Sequence, residues 1–156
     1  MMNNNLIAQN KRAYFDYQIE DQIEAGIVLE GWEVKALRLG LGQLTDSYAL
    51  IRAQEIFLLN AKIQPPHFAS NHLSYENERT RKLLLKKKEI LKLQGALQRK
   101  GHTLIPLKLY WDETKRYVKC LIGVAKGKTL VDKRVSIAEK EWVREKQRIA
   151  KQHRLN

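Results

Sequence analysis

The sequence predicts a mainly β fold with short helices: a small OB-like antiparallel β-barrel plus a basic C-terminal tail that is disordered until bound. Three observations predict it. About six runs carry strand patterning, with no alternation of strand and long helix that would give a parallel sheet. At 156 residues the chain is one domain, long enough to bury a real core, and 44% hydrophobic content excludes wholesale disorder. The last segment is strongly basic and poor in apolar residues. The expected division is a flexible N-terminus over 1–10, a barrel over 11–130 and a tail over 131–156.

The elements follow in order. From Phe15 to Leu29 the odd positions are mostly apolar and the even ones mostly polar, the period of a half-buried strand, turned or bulged at Glu20-Asp21-Gln22. A short helix fits WEVKALRLG, where Val34, Leu37 and Leu41 share a face and Gly40 and Gly42 can end it. Two strands, SYALIR and EIFLLNAKI, join through Ala53-Gln54, and Pro65-Pro66 stops the second. A polar loop, HFASNHLSYENE, then leads to RTRKLLLKKKEILKLQGALQRKG. There Leu83, Ile90 and Leu97 recur every seven residues, which predicts a helix closed by Gly101, weakened or broken at Gly95. Strands TLIPLKLYW and YVKCLIGVA flank a turn over 112–116. Thr103, Ile105, Leu107, Leu109 and Trp111 are expected on one face of the first, and Val118, Cys120 and Ile122 on one face of the second.

The net charge of +12 and a pI near 9.9 point to a polyanionic partner, nucleic acid before an anionic membrane. The charge is segregated: net −4 over 1–78, +8 over 79–100, +2 over 101–125 and +6 over 126–156. Arg79, Arg81, Lys82, Lys86, Lys87, Lys88 and Lys92 are opposed only by Glu89. A solvated helix face normally mixes signs, so this density predicts phosphate contacts. The chain has no run of eighteen apolar residues and no secretion signal, and its single cysteine excludes an internal disulfide framework. A soluble, cytoplasmic protein without a membrane partner is expected.

The stretch GVAKGKT, 123–129, resembles a nucleotide-binding loop in composition. Only three residues separate Gly123 from Gly127, where a phosphate loop needs four, and TLVDKR follows instead of a helix start. Lys126 and Lys128 are better matched to an RNA backbone, with glycines allowing close approach. No catalytic constellation is visible. His67, His72, His102 and His153 are scattered, Ser47 and Ser136 lack a nucleophile context, and Cys120 lies on an apolar face. No enzymatic activity, cofactor or metal is expected.

The tail opens with a capping box, Ser136 before Glu139, and about seventeen helical residues would span roughly 25 Å. A lone helix of that length is marginal in water, so it should fold on a partner. Trp142 and Ile149, seven apart, would anchor it. Lys140, Arg144, Lys146, Arg148, Lys151 and Arg154 would face phosphates.

Taken together, the chain resembles the SmpB (SsrA-binding protein) family, the partners of transfer-messenger RNA. The resemblance rests on Asn10-Lys11-Arg12-Ala13, Glu24-Ala25-Gly26-Ile27, Gly31-Trp32-Glu33-Val34-Lys35 with Leu37-Arg38, and Asp46-Ser47-Tyr48. It continues in Arg79-Thr80-Arg81-Lys82-Leu83-Leu84-Leu85, Leu107-Lys108-Leu109-Tyr110-Trp111, Gly123-Val124-Ala125-Lys126-Gly127-Lys128 and Asp132-Lys133-Arg134. It implies an OB-like barrel that grips the tRNA-like domain of transfer-messenger RNA and enters the A site of a stalled 70S ribosome in trans-translation. The implied RNA-binding residues are Asn10, Lys11, Arg12, Glu24, Arg79, Arg81, Lys82, Leu84, Lys126 and Lys128. Asp132, Lys133, Arg134 and the tail match the part facing the decoding centre and mRNA channel. Elongation factor Tu belongs to the same implied delivery complex, with the protein as a monomer. Two departures stand out: Val131 where many members carry His or an aromatic, and Glu76-Asn77 in place of a frequent Asp-Pro.

Overall fold

The computed structural model describes residues 5–67, 75–128 and 130–155, with the side chains of 130–136 and 152–155 left out. In chain order the elements are β1 (Leu6–Gln9), α1 (Lys11–Asp16), β2 (Tyr17–Ile27), α2 (Gly31–Arg38), β3 (Gly42–Gln43), β4 (Tyr48–Arg52), β5 (Glu55–Leu59) and β6 (Lys62–Ile63). They continue as β7 (Arg81–Leu84), α3 (Lys87–Leu97), β8 (His102–Trp111), β9 (Val118–Gly127) and α4 (Leu130–Leu155). The main sheet runs β1-β8-β4-β5-β7-β2-β9, and β8 pairs with β9 as well, so β8, β4, β5, β7, β2 and β9 close into a ring. All its pairings are antiparallel. Closure satisfies strand edges that an open sheet would leave unpaired. The predicted mainly β, antiparallel barrel with short helices is what the chain forms.

The barrel interior is filled by Ala25, Leu37, Ile56, Leu58, Leu83, Leu104, Leu109, Val118, Cys120, Ile122 and Val124, with α3 contributing Ile90 and Leu93. A second, smaller cluster of Ala13, Ile105, Leu107 and Ala125 lies under α1. It exists because the β8–β9 register shifts between Pro106 and Lys108. That bulge puts Ile105 and Leu107 with α1 while Leu109 points into the barrel, so the single apolar face expected along β8 is split in two. Gly123 faces this cluster: a Cβ there would sit 2.9 Å from Leu107 Cδ1.

Several boundaries differ from the sequence reading. Leu6–Gln9, expected to be flexible, pairs with β8. Phe15 and Asp16 continue the strand alternation but belong to α1, because the Asn10 side chain accepts from Ala13 N at 3.2 Å and starts a helix. The expected irregularity in β2 is a bulge at Glu20, where the register shifts between Ile19 and Asp21. The long basic helix is a strand followed by a helix. In β7 Arg81 and Leu83 are buried while Lys82 and Leu84 are exposed, a period of two that the seven-residue leucine spacing concealed. The helix begins only at Lys87, where Glu89 accepts from Lys86 N at 2.9 Å, and it runs through Gly95 without a break. The last helix starts at Leu130, so Ser136 lies inside it and is no cap, and its 26 residues exceed the expected seventeen. The tail, expected to be disordered when free, is helical over Leu130–Leu155.

Candidate nucleic-acid interface

Cross-strand partners in an antiparallel sheet share a face, so the register fixes what the outer surface displays. One row reads Leu6, Tyr110, Lys119, Gly26 and Leu84 across β1, β8, β9, β2 and β7. The neighbouring row reads Lys108, Leu121 and Glu24. Leu84 is 52% exposed. A Cβ on Gly26 would lie 3.3 Å from Leu84 Cβ, so glycine keeps the floor low beside that leucine.

Glu24 is exposed, and the Tyr110 hydroxyl donates to its Oε2 in a short hydrogen bond. Burial first, then the Glu24 hydrogen bond, raises the Tyr110 hydroxyl above its ordinary value, so it stays protonated as the donor. The result is a fixed carboxylate with Lys108 and Lys119 on the same face. A carboxylate can accept from a base amino group or a 2′-OH, lysines bind phosphates, and an exposed leucine packs on sugar or base. Glu24 and Leu84 are candidates of the sequence reading, and both lie on this outer face. That reading missed Tyr110, Lys108 and Lys119, whose signal was their even or odd placement opposite the core-facing residues of β8 and β9.

Other sequence candidates take different roles. Arg81 is fully buried: Nε donates to Glu33 Oε2 at 2.5 Å, Nη1 to Ala61 O at 2.7 Å and Nη2 to Asn77 O at 3.1 Å. Arg79 Nη2 donates to the other Glu33 oxygen at 2.5 Å. The Arg81 guanidinium is therefore spent on a carboxylate that is itself fully buried in α2, not on an external phosphate, while Arg79 shares that carboxylate with a quarter of its side chain still exposed. Burial alone would raise the Glu33 carboxyl; the bonds from Arg79 and the Glu30 backbone and the charge of Arg81 overcome it and hold it low. Burial lowers Arg81 against the pull of Glu33, and a guanidinium stays charged regardless. Asn10 is likewise buried, its Nδ2 donating to Pro106 O at 3.1 Å while its Oδ1 caps α1. The density of arginine that looked like a footprint is partly an internal staple.

Exposed cations remain nearby. Lys11 and Arg12 are exposed on α1, with Arg12 Nε 3.1 Å from Asp16. Lys82 is exposed beside Leu84, 3.1 Å from Glu55. Lys86, Lys87, Lys88 and Lys92 are exposed on or just before α3. Of the lysines in GVAKGKT, Lys126 is exposed, whereas Lys128 ties the strand end to α1 through N to Asp16 O at 2.9 Å and Nζ to Tyr14 O at 3.4 Å.

From that point α4 leaves the barrel. The side chains of Val131, Asp132, Lys133 and Arg134 lie outside the described residues, although their backbone is helical. Further along, Trp142 is 60% and Ile149 45% exposed, and Lys140, Arg144, Lys146, Arg148 and Lys151 are exposed as well. Lys146 Nζ lies 5.1 Å from the Trp142 ring and Arg148 donates to Glu145 at 2.6 Å. Among the described side chains of α4, Lys140 Nζ is 5.5 Å from the Phe15 ring, beside a cleft of about 460 Å³ that Tyr14, Val143 and Arg144 also line.

A match to the family described as "SmpB protein" covers residues 7–152. The chain belongs to the SmpB family. The SsrA-binding protein of Cupriavidus pinatubonensis is 52% identical over 145 residues, 93% of this chain and 95% of that protein. That of a Psychrobacter species is 49% identical over 149 residues, covering 96% and 93%. Among solved structures, a chain described under "tmRNA-SmpB: a journey to the center of the bacterial ribosome" is 43% identical with a TM-score of 0.65, covering 78% of this chain and 84% of that one. In this SmpB chain the described residues hold no group of three or more His, Cys, Asp or Glu placed to bind a metal, and no helix long and apolar enough to cross a membrane.

Proposed function

We propose that this chain is a non-enzymatic RNA-binding adaptor of ribosome rescue. It binds the tRNA-like domain of transfer-messenger RNA and brings it to the A site of stalled ribosomes in trans-translation. It acts in the cytoplasm as a monomer, with elongation factor Tu in the delivery complex. The observation that carries this reading is the exposed barrel face on which Tyr110 fixes Glu24 among Lys108, Lys119 and Leu84, in a chain of this family.

The layout suits a two-ended adaptor. Lys119, on the RNA face, lies near the start of β9, and the tail begins just past its end at Gly127. Eight residues of strand separate them by about 26 Å at 3.3 Å each. RNA held by the sheet and a partner held by α4 therefore need not collide. The helix presents Trp142 and Ile149 with cations around them, a surface suited to a phosphate-walled channel.

Truncation after Arg134 tests the division of labour. It should leave affinity for transfer-messenger RNA within about twofold of the full chain while abolishing tagging on stalled ribosomes, since phosphate contacts made elsewhere are untouched. A truncated protein that still supports tagging removes the tail from the mechanism.

A further inference from the structure

The turn between β8 and β9 extends the sheet face and is built more rigidly than a solvent-exposed tip requires. Asp112 Oδ1 accepts from Thr114 Oγ1 at 2.8 Å, Arg116 N at 3.2 Å and Tyr117 N at 3.3 Å. Asp112 N donates to Tyr117 O at 2.9 Å, and Lys115 takes a positive φ of 60° to complete the loop. From outside, the Arg38 guanidinium sits 4.6 Å over the Trp111 ring and donates to Lys115 O at 3.3 Å.

What this scaffold holds out is Tyr117. Its side chain is 68% exposed, more than Trp142 in the tail, so it adds little to the packing of the barrel. Trp111 pairs with Val118, whose side chain is buried, and Asp112 faces Tyr117 one position further on. Alternation therefore turns Tyr117 to the same outer face as Lys119 and Tyr110. Lys115 and Arg116 precede it in the turn, both exposed, and Lys119 follows two positions on along the same face. An exposed aromatic on a pre-ordered turn among cations has the make-up of a base-stacking platform: the ring takes the π-face of an unpaired base and the cations its phosphates.

We propose that Tyr117 stacks on an unpaired base of transfer-messenger RNA, with Lys115 and Arg116 holding the flanking phosphates, so that the RNA interface runs from Leu84 through Glu24 and Tyr110 to the tip of the β8–β9 turn. The inference rests on the reading of the sheet face as the RNA-binding surface. It commits to transfer-messenger RNA because the platform is continuous with that face and lies at the end of β9 away from the tail.

The test measures affinity of full-length variants for the tRNA-like domain of transfer-messenger RNA across a salt series, with Glu24→Gln in parallel. Tyr117→Ala should weaken binding at least about fivefold without changing the salt slope, because a neutral ring releases no counterions. Tyr117→Trp should restore it, and Lys115→Ala or Arg116→Ala should each lower the slope by about one. Thermal midpoints of all four should match the native chain. If Glu24→Gln weakens binding and Tyr117→Ala does not, the platform is refuted and the sheet face stands. If neither weakens binding, the sheet face itself is refuted. A loss at Tyr117→Ala that Trp does not restore, or one confined to ribosome binding, also overturns the assignment.

Discussion

Removing the carboxylate at Glu33 separates structure from RNA binding. Glu33→Ala leaves Arg81 buried with no counter-charge, its remaining partners being the Ala61 and Asn77 carbonyls. Breaking a buried pair from one side costs about 3–5 kcal/mol. That is a large share of the 5–15 kcal/mol typical of a folded domain. At roughly 2–4 °C per kcal/mol for a chain of this size, the thermal midpoint should fall on the order of 6–20 °C. Urea titration followed by circular dichroism measures the loss. The same staple sets an acid limb: the Glu33 carboxyl is held below its ordinary value of 4.5, so its contribution is present above that pH and disappears as pH falls through the folded value. Glu33→Gln should flatten this limb. Arg81→Ala should destabilise the fold while leaving the salt slope of RNA binding per folded molecule unchanged. A loss below about 1 kcal/mol for Glu33→Ala, in the range of an exposed ion pair, would refute the staple. So would a slope reduced by about one for Arg81→Ala, the signature of a phosphate contact.

Three other outcomes follow from the geometry. Gly123→Ala should cost about 1–3 kcal/mol, since the new methyl meets buried Leu107 at 2.9 Å and must overpack the cluster under α1, which chemical denaturation reads directly. Burial pushes the Cys120 thiol up to about 12, so at pH 8 it should resist iodoacetamide in the native protein and react only in denaturant, as mass spectrometry would show. Tyr110→Phe frees the Glu24 carboxylate while keeping the ring. It should weaken RNA binding several-fold, on the scale of about 1 kcal/mol for a lost hydrogen bond, with little further effect when combined with Glu24→Gln.

The barrel was legible in the sequence because its long strands bury one side and expose the other, as Val118, Cys120 and Ile122 do. The failures have physical causes. The spacing of seven through Leu83, Ile90 and Leu97 fits a helix, and the competing alternation was hidden because one of the inward residues is an arginine. Only the approach of Glu33 from α2, 48 positions away in the chain, makes a buried guanidinium tolerable there. The same long-range pairing put Arg81 in the interior and turned Arg79 onto Glu33 as well, whereas Lys82 and Leu84, alternating with Arg81 and Leu83, remained outside. Glu24 was legible as a candidate, but its partner Tyr110 lies 86 residues on, and no local pattern joins them. The bulge beside Pro106 divided an apolar run into two cores, which a strict period of two cannot express.

The most direct measurement compares binding of the full chain to the tRNA-like domain of transfer-messenger RNA and to an ordinary tRNA over a range of salt. The account predicts tighter binding to the former at every salt concentration, a preference that Glu24→Gln diminishes. Equal affinity for both RNAs, unchanged by Glu24→Gln, would contradict it and leave a basic barrel that binds RNA by charge alone.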